Sequence, residues 1–165
     1  MLPSPTQASA ASEPLSTLTI RLSDLRPGYV VSQQRYRTPR SILAQEPVTA
    51  RLLLSHRWMD GYTALYERAE NPKIQVGEFA DRFKTVRGAH WWYGASLVRV
   101  PTSYHTIRMY RVGEESTAVA SRTFVGIIFR RGRVVVDVYV SQKIPSAPTA
   151  VFSLARLIDR RLLLY

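Results

Sequence analysis

With 165 residues, 45% of them hydrophobic, and no cysteine, the chain can bury one ordinary core, while disulfides, thiol catalysis and cysteine-ligated metal centres are excluded. Lysine and arginine outnumber aspartate and glutamate by 23 to 12, for a net charge of +11, and only Lys73, Lys84 and Lys143 are lysines. The arginines are scattered along the whole sequence, which admits an anionic partner without defining a nucleic-acid surface, and no run approaches the roughly 18 apolar residues of a membrane-spanning helix.

Residues 1–16, MLPSPTQASAASEPLS, are rich in proline and small polar residues and are expected to form a disordered linker or tail. The segment has neither the basic start nor the apolar centre of a signal peptide. It is similar to the linker that follows a cleaved signal or a lipidated cysteine in exported bacterial proteins. A single domain is expected over residues 17–165.

Leu18 to Leu22 alternates and reads as a first strand, followed by a turn punctuated by Pro27 and Gly28. Val30 to Tyr36 reads as a second strand and Pro39 to Gln45 as a short helix or irregular loop. Arg51 to Trp58 is ambiguous between helix and strand. Asp60-Gly61 is a turn signal, so Tyr62 to Glu67 is expected to leave a hairpin through Gly61 as a strand. Lys73 to Val76 reads as a short strand.

Val76, Phe79, Ala80, Phe83, Val86 and His90 then recur at spacings of three and four, predicting a helix over 77–92 with Gly88 as a weak point. Leu97 to Val100 and Thr106 to Tyr110 are candidate strands. Phe124 to Phe129 and Val134 to Val140, joined by Arg130-Arg131-Gly132-Arg133, form the clearest hairpin in the sequence. A terminal helix starting at Thr149 carries Val151, Leu154, Ala155, Ile158 and Leu162 as its apolar stripe, with Arg156 and Arg160 facing solvent. The order of strands, helix, strands and helix with short connections predicts an α+β fold, an antiparallel sheet covered by helices.

His56, His90 and His105 lack the spacing of a metal site, and no acid, nucleophile elbow or phosphate-binding glycine loop accompanies them. Glu114 and Glu115 point to opposite sides of an extended chain, so they are expected to cap turns or pair with arginines rather than act as an acid–base dyad. No catalytic residue, metal or cofactor is expected. The most unusual cluster is His90-Trp91-Trp92-Tyr93, which with Trp58 and Tyr62 is read in two ways. It either closes the edge of a core or forms a binding surface at the end of the 77–92 helix beside the Trp58 to Tyr62 turn.

Asp24 to Tyr29, Gly61-Tyr62, Val112 to Ser116, Phe129 to Val136 and the Ala155 to Leu162 helix together resemble exported bacterial lipoproteins and sensor-type domains of the PsbP-like fold. Glu114 stands where those domains carry aspartate, Arg133 where they carry asparagine, and no lipobox is present. The resemblance implies an α-β-α sandwich outside the cytoplasm, at the cell surface or in the periplasm. It also implies a non-enzymatic binding or assembly role with a protein partner, and membrane attachment only through an anchor absent from this chain. Two alternatives stand beside it: a small-ligand or enzymatic pocket in an NTF2-like cone, marked by a cavity lined by His90, Tyr62 or Asp60, and arginine-mediated binding of nucleic acid or an anionic surface.

Overall fold

A computed structural model describes residues 13–141 and 145–165 of the chain. The run of β-branched and aromatic residues from Phe124 onward forms the hairpin expected of it, with β6 Phe124–Arg131 and β7 Val134–Ser141 paired antiparallel across Gly132. The other strands are β1 Tyr29–Arg37, β2 Trp58–Arg68, β3 Asn71–Phe83, β4 His105–Ile107 and β5 Glu115–Ala120. All pair antiparallel in one seven-stranded sheet of order β1-β2-β3-β7-β6-β5-β4. Two meanders are thus joined where β3 meets β7, and the long connection between β3 and β4 carries a helix.

Both faces of the central strands are covered, whereas the edge strand β1 is mostly exposed, and this explains why β6 and β7 read as nearly continuous apolar runs. On one face, Val134, Val136, Val138 and Val140 pack with Val125, Ile127 and Phe129 against α1 Leu15–Leu18 and α5 Ala147–Leu163. The α5 stripe is the one read from its spacing: Val151, Leu154, Ala155, Ile158 and Leu162 are buried, while Arg156 and Arg160 are exposed. Each fully buried branched side chain in it contributes about 1.5–3 kcal/mol. On the other face, Ile128 and Val135 pack against α2 Pro39–Gln45, α3 Pro47–Ser55 and α4 Val86–Val98. The result is a helix-sheet-helix sandwich, an α+β antiparallel fold as the sequence predicts.

Several local expectations are corrected. The 77–92 helix does not exist as such, because β3 runs on to Phe83 and α4 starts at Val86. The spacings of three and four mimic a helix because β3 lies inside the sheet with both faces covered, so buried residues need not alternate. Val76 and Ala80 face α5, whereas Phe83 faces α4. The true start of α4 is capped by Thr85, whose side chain accepts the Gly88 N–H at 3.1 Å, which places Gly88 in the first turn and not at an end. His90, expected on an apolar face, has a side chain 65% exposed.

Gly61 makes no turn. It sits within β2 opposite Arg37 and Asp81, and a Cβ there would stand 2.8 Å from both side chains. The β2–β3 turn falls instead at Ala69 and Glu70. Leu18 to Leu22 is not a strand: α1 ends at Leu18, and Thr19 and Ile20 are buried without joining the sheet. Leu15 already belongs to the core, so the folded unit begins before residue 17, and residues 1–12 of the expected tail lie outside the described residues. Arg51 to Ser55 is helical, Leu97 and Val98 end α4, β4 starts at His105 and stops at Ile107, and Thr149 lies inside α5, where Pro148 occupies the first turn.

Candidate functional site

The face of the sheet under α4 carries polar groups that a packed core would not require. Asp81 on β3 is almost fully buried and accepts three hydrogen bonds. Trp58 Nε1–H donates to its Oδ1 at 2.8 Å, Trp92 Nε1–H donates to its Oδ2 at 3.0 Å, and the Arg37 guanidinium reaches Oδ1 at 2.9 Å. This hub joins β1, β2, β3 and α4, and it satisfies two buried indole N–H groups with one carboxylate. Arg37 Nε is buried without a hydrogen-bond partner.

Beside the hub a cavity of about 330 Å³ opens between the C-terminal half of α4 and the sheet. Phe79, Trp92, Tyr104 and Phe124 give it aromatic walls, while Val119, Ile128 and Val135 contribute aliphatic floor. The rings continue across the sheet surface: Phe79 stacks with Tyr139 at 6.3 Å, Tyr139 with Phe124 at 5.3 Å, and Phe124 meets Tyr104 at 5.0 Å. Arg99, at the end of α4, lies over the Trp92 ring at 4.7 Å from its centroid.

Asp137 lines the same cavity from β7, where Phe79 and Ile128 are its cross-strand neighbours. It is half-buried and forms no hydrogen bond or ion pair with any described residue, and desolvation by the surrounding apolar side chains pushes its carboxyl up to about 7. It is the one acid in the valine-rich run of β7, and that break in the pattern is the signal of it in the sequence. Arg37, Arg99, Tyr104 and Phe124 were missed as well, since nothing in their spacing announces that they converge.

The six aromatic and histidine residues singled out from the sequence do not form one surface. Tyr62 lies in the core on the α5 face, 5.0 Å from the Tyr36 ring. Trp58 and Trp92 are buried on the opposite face and meet through Asp81, and of the six only Trp92 lines the cavity. Tyr93 is buried, with its hydroxyl 2.8 Å from Thr117 Oγ1. Trp91 stacks on His56 at 3.5 Å, and His90 Nδ1 stands 2.8 Å from Glu115. His90, Tyr62 and Asp60, the residues that would mark an NTF2-like cavity, are not among those lining this one.

Several acids elsewhere are paired with arginines. Glu114 and Glu115 both engage Arg130, Asp159 takes Arg131 in a two-pronged pair at 2.7 and 2.9 Å, and Asp24 takes Arg161 likewise at 2.7 and 2.8 Å. On the α5 face, Asp60 pairs with Arg82. Two of the three hairpin-tip arginines are therefore engaged in ion pairs. Among the described residues, no group of three or more histidine, aspartate or glutamate side chains is arranged to hold a metal.

Fold and cavity together define an open seven-stranded antiparallel sheet, sandwiched between helices, with a part-aromatic pocket under one of them. Among solved structures, the chain is similar to the extracellular domain of PknH from Mycobacterium tuberculosis, with a TM-score of 0.63 and 12% identity over 91% of this chain and 95% of that one. At that identity the likeness is one of fold. No protein-family model and no curated protein matches the sequence.

Proposed function

We propose that the chain is a non-enzymatic binding domain of an exported or membrane-anchored bacterial protein, and that its ligand site is the cavity between α4 and the sheet. The observation that carries this reading is the cavity's lining. Its aromatic walls supply apolar contact area, Arg37 Nε is buried there without a partner, and the half-buried Asp137 carboxyl pairs with no described residue. The extracytoplasmic placement is supported by the solved neighbour, itself an extracellular domain, and by the tail composition. The PsbP-like likeness rests on the motifs quoted above and agrees with the helix-sheet-helix layering. No helix among the described residues is long and apolar enough to cross a membrane.

The test uses the neutral dye N-phenyl-1-naphthylamine, which fluoresces in apolar pockets, with the wild-type protein and a Ser96→Phe variant that places a ring in the cavity. Saturable binding by wild type, lost in a variant that melts at the wild-type temperature, is the expected result. Equal binding by both proteins, or none by wild type, removes the cavity as the site.

A further inference from the structure

Asp137 is the anomaly that the cavity leaves unexplained. Asp137 is half-buried among the apolar walls of the cavity, and a carboxylate in such surroundings without a partner is costly, a cost that proteins answer by pairing the charge or by keeping the acid protonated. Here every nearby cation is committed elsewhere or sits at the rim. Arg37 from β1 is held by Asp81 of β3, and Arg99 at the end of α4 is exposed and stacked on Trp92. The remaining titratable group lining the cavity is the phenol of Tyr104, in the loop before β4; Tyr139, two residues along β7, stacks on Phe79 and Phe124 beside it, and its own proton is held more tightly by burial and by Asp137.

We infer that the cavity takes a small apolar molecule bearing an ammonium group, with Asp137 as its counter-ion and Phe79, Trp92, Tyr104 and Phe124 around its body. This rests on the reading of the cavity as a ligand site. An ammonium nitrogen supplies the donors that the Asp137 oxygens lack, and aromatic faces attract a cation by about 0.5–2 kcal/mol each when it is desolvated. A volume of about 330 Å³ accommodates an arylalkylamine and excludes a folded peptide. The Asp137 carboxyl, raised to about 7, is poised so that a bound cation drives it into the charged form. Arg99 opposes the ligand only weakly, because water and salt screen an exposed guanidinium.

The experiment is titration calorimetry with three isosteric probes: phenethylammonium, 2-phenylethanol and phenylacetate. Wild type is expected to prefer the amine at least tenfold over both others at pH 8. Its affinity for the amine is expected to fall at least tenfold by pH 5.5, with close to one proton released on binding at pH 6. Asp137→Asn should abolish that pH dependence and most of the preference while still binding N-phenyl-1-naphthylamine, which shows that the cavity is intact. Arg99→Gln should strengthen amine binding, the opposite sign, and provides a second readout if the Asp137 variant fails to fold. Equal or tighter binding of the alcohol or the carboxylate overturns the inference, as does amine affinity unchanged by Asp137→Asn. Dye binding without amine binding sinks this inference alone, whereas loss of dye binding by wild type sinks the site itself.

Discussion

The backbone N–H of Ile20 points at both carboxyl oxygens of Glu78, at 3.1 and 2.9 Å, and ties the segment before β1 to the middle of β3. Tyr66 completes the clasp by donating its hydroxyl to the Ile20 carbonyl at 2.6 Å. This is why an alternating Leu18 to Leu22 never joins a ladder: its backbone finds partners on the face of the sheet rather than along an edge.

Burial pushes the Glu78 carboxyl from its usual 4.5 to about 8, outweighing the hydrogen bond from Ile20 that favours the charged form. The folded chain therefore keeps a proton that the unfolded chain has released, and the resulting stability is full below about 4.5 and lost as the pH rises through 8. Asp137 acts with the same sign between 3.8 and about 7. Thermal melts should show a lower melting temperature at pH 8.5 than at pH 5, by the equivalent of a few kcal/mol, on the order that such shifts carry. Glu78→Gln should flatten most of that slope. A wild-type melting temperature equal at the two pH values would rule out this role for Glu78.

Removing the Asp81 carboxylate leaves two buried indole N–H groups without an acceptor and the Arg37 guanidinium with only the Ala80 carbonyl at 3.5 Å. Asp81→Ala is therefore expected to cost about 3–5 kcal/mol in urea unfolding, the range for breaking a buried pair from one side. Asp81→Asn, which keeps one acceptor oxygen, should cost distinctly less. Equal losses for the two variants would mean that the site is held by packing and not by the shared carboxylate.

The elements legible in the sequence were those whose pattern is set by one buried face or by a local turn. Gly132 between two valine-rich runs and the α5 stripe are of this kind. Those misread depend on what covers the second face. Phe79 and Phe83 share one side of β3 and Val76 and Ala80 the other, so the strand as a whole imitates a helical period. The cavity was illegible for a related reason. Arg37, Asp81, Trp92, Arg99 and Asp137 come from four separate elements, and only the β1-β2-β3-β7 order with α4 packed over it brings them to one place. His90-Trp91-Trp92-Tyr93 drew notice as a run, yet consecutive residues on α4 point about 100° apart and reach different surroundings.

Tyr139 lies flat across Gly77, where an added Cβ would stand 2.2 Å from the ring carbon Cζ. The glycine is what allows the ring to bridge from Phe79 toward Phe124. Gly77→Ala should destabilise the fold by about 1–3 kcal/mol through overpacking, measured as a lower urea midpoint with an unchanged slope. In a Tyr139→Ala background the same change should cost little, giving a coupling energy above about 1 kcal/mol for the contacting pair. Additive losses would show that the glycine is needed for the backbone and not for the ring.

Trp91 and Trp92 are neighbours in sequence with different surroundings. Trp92 is 8% exposed and donates its indole N–H to Asp81 at 3.0 Å, while Trp91 is partly exposed and stacks on His56. Trp92→Ala removes core volume and a hydrogen bond at once, so it should cost about 3–5 kcal/mol. Trp91→Ala loses a stacking contact at the surface and should cost about 1 kcal/mol. Urea denaturation of the two variants separates these outcomes. Equal losses would place Trp91 in the core, whereas a mild Trp91→Ala leaves its exposed ring available for contact with another molecule without disturbing the fold.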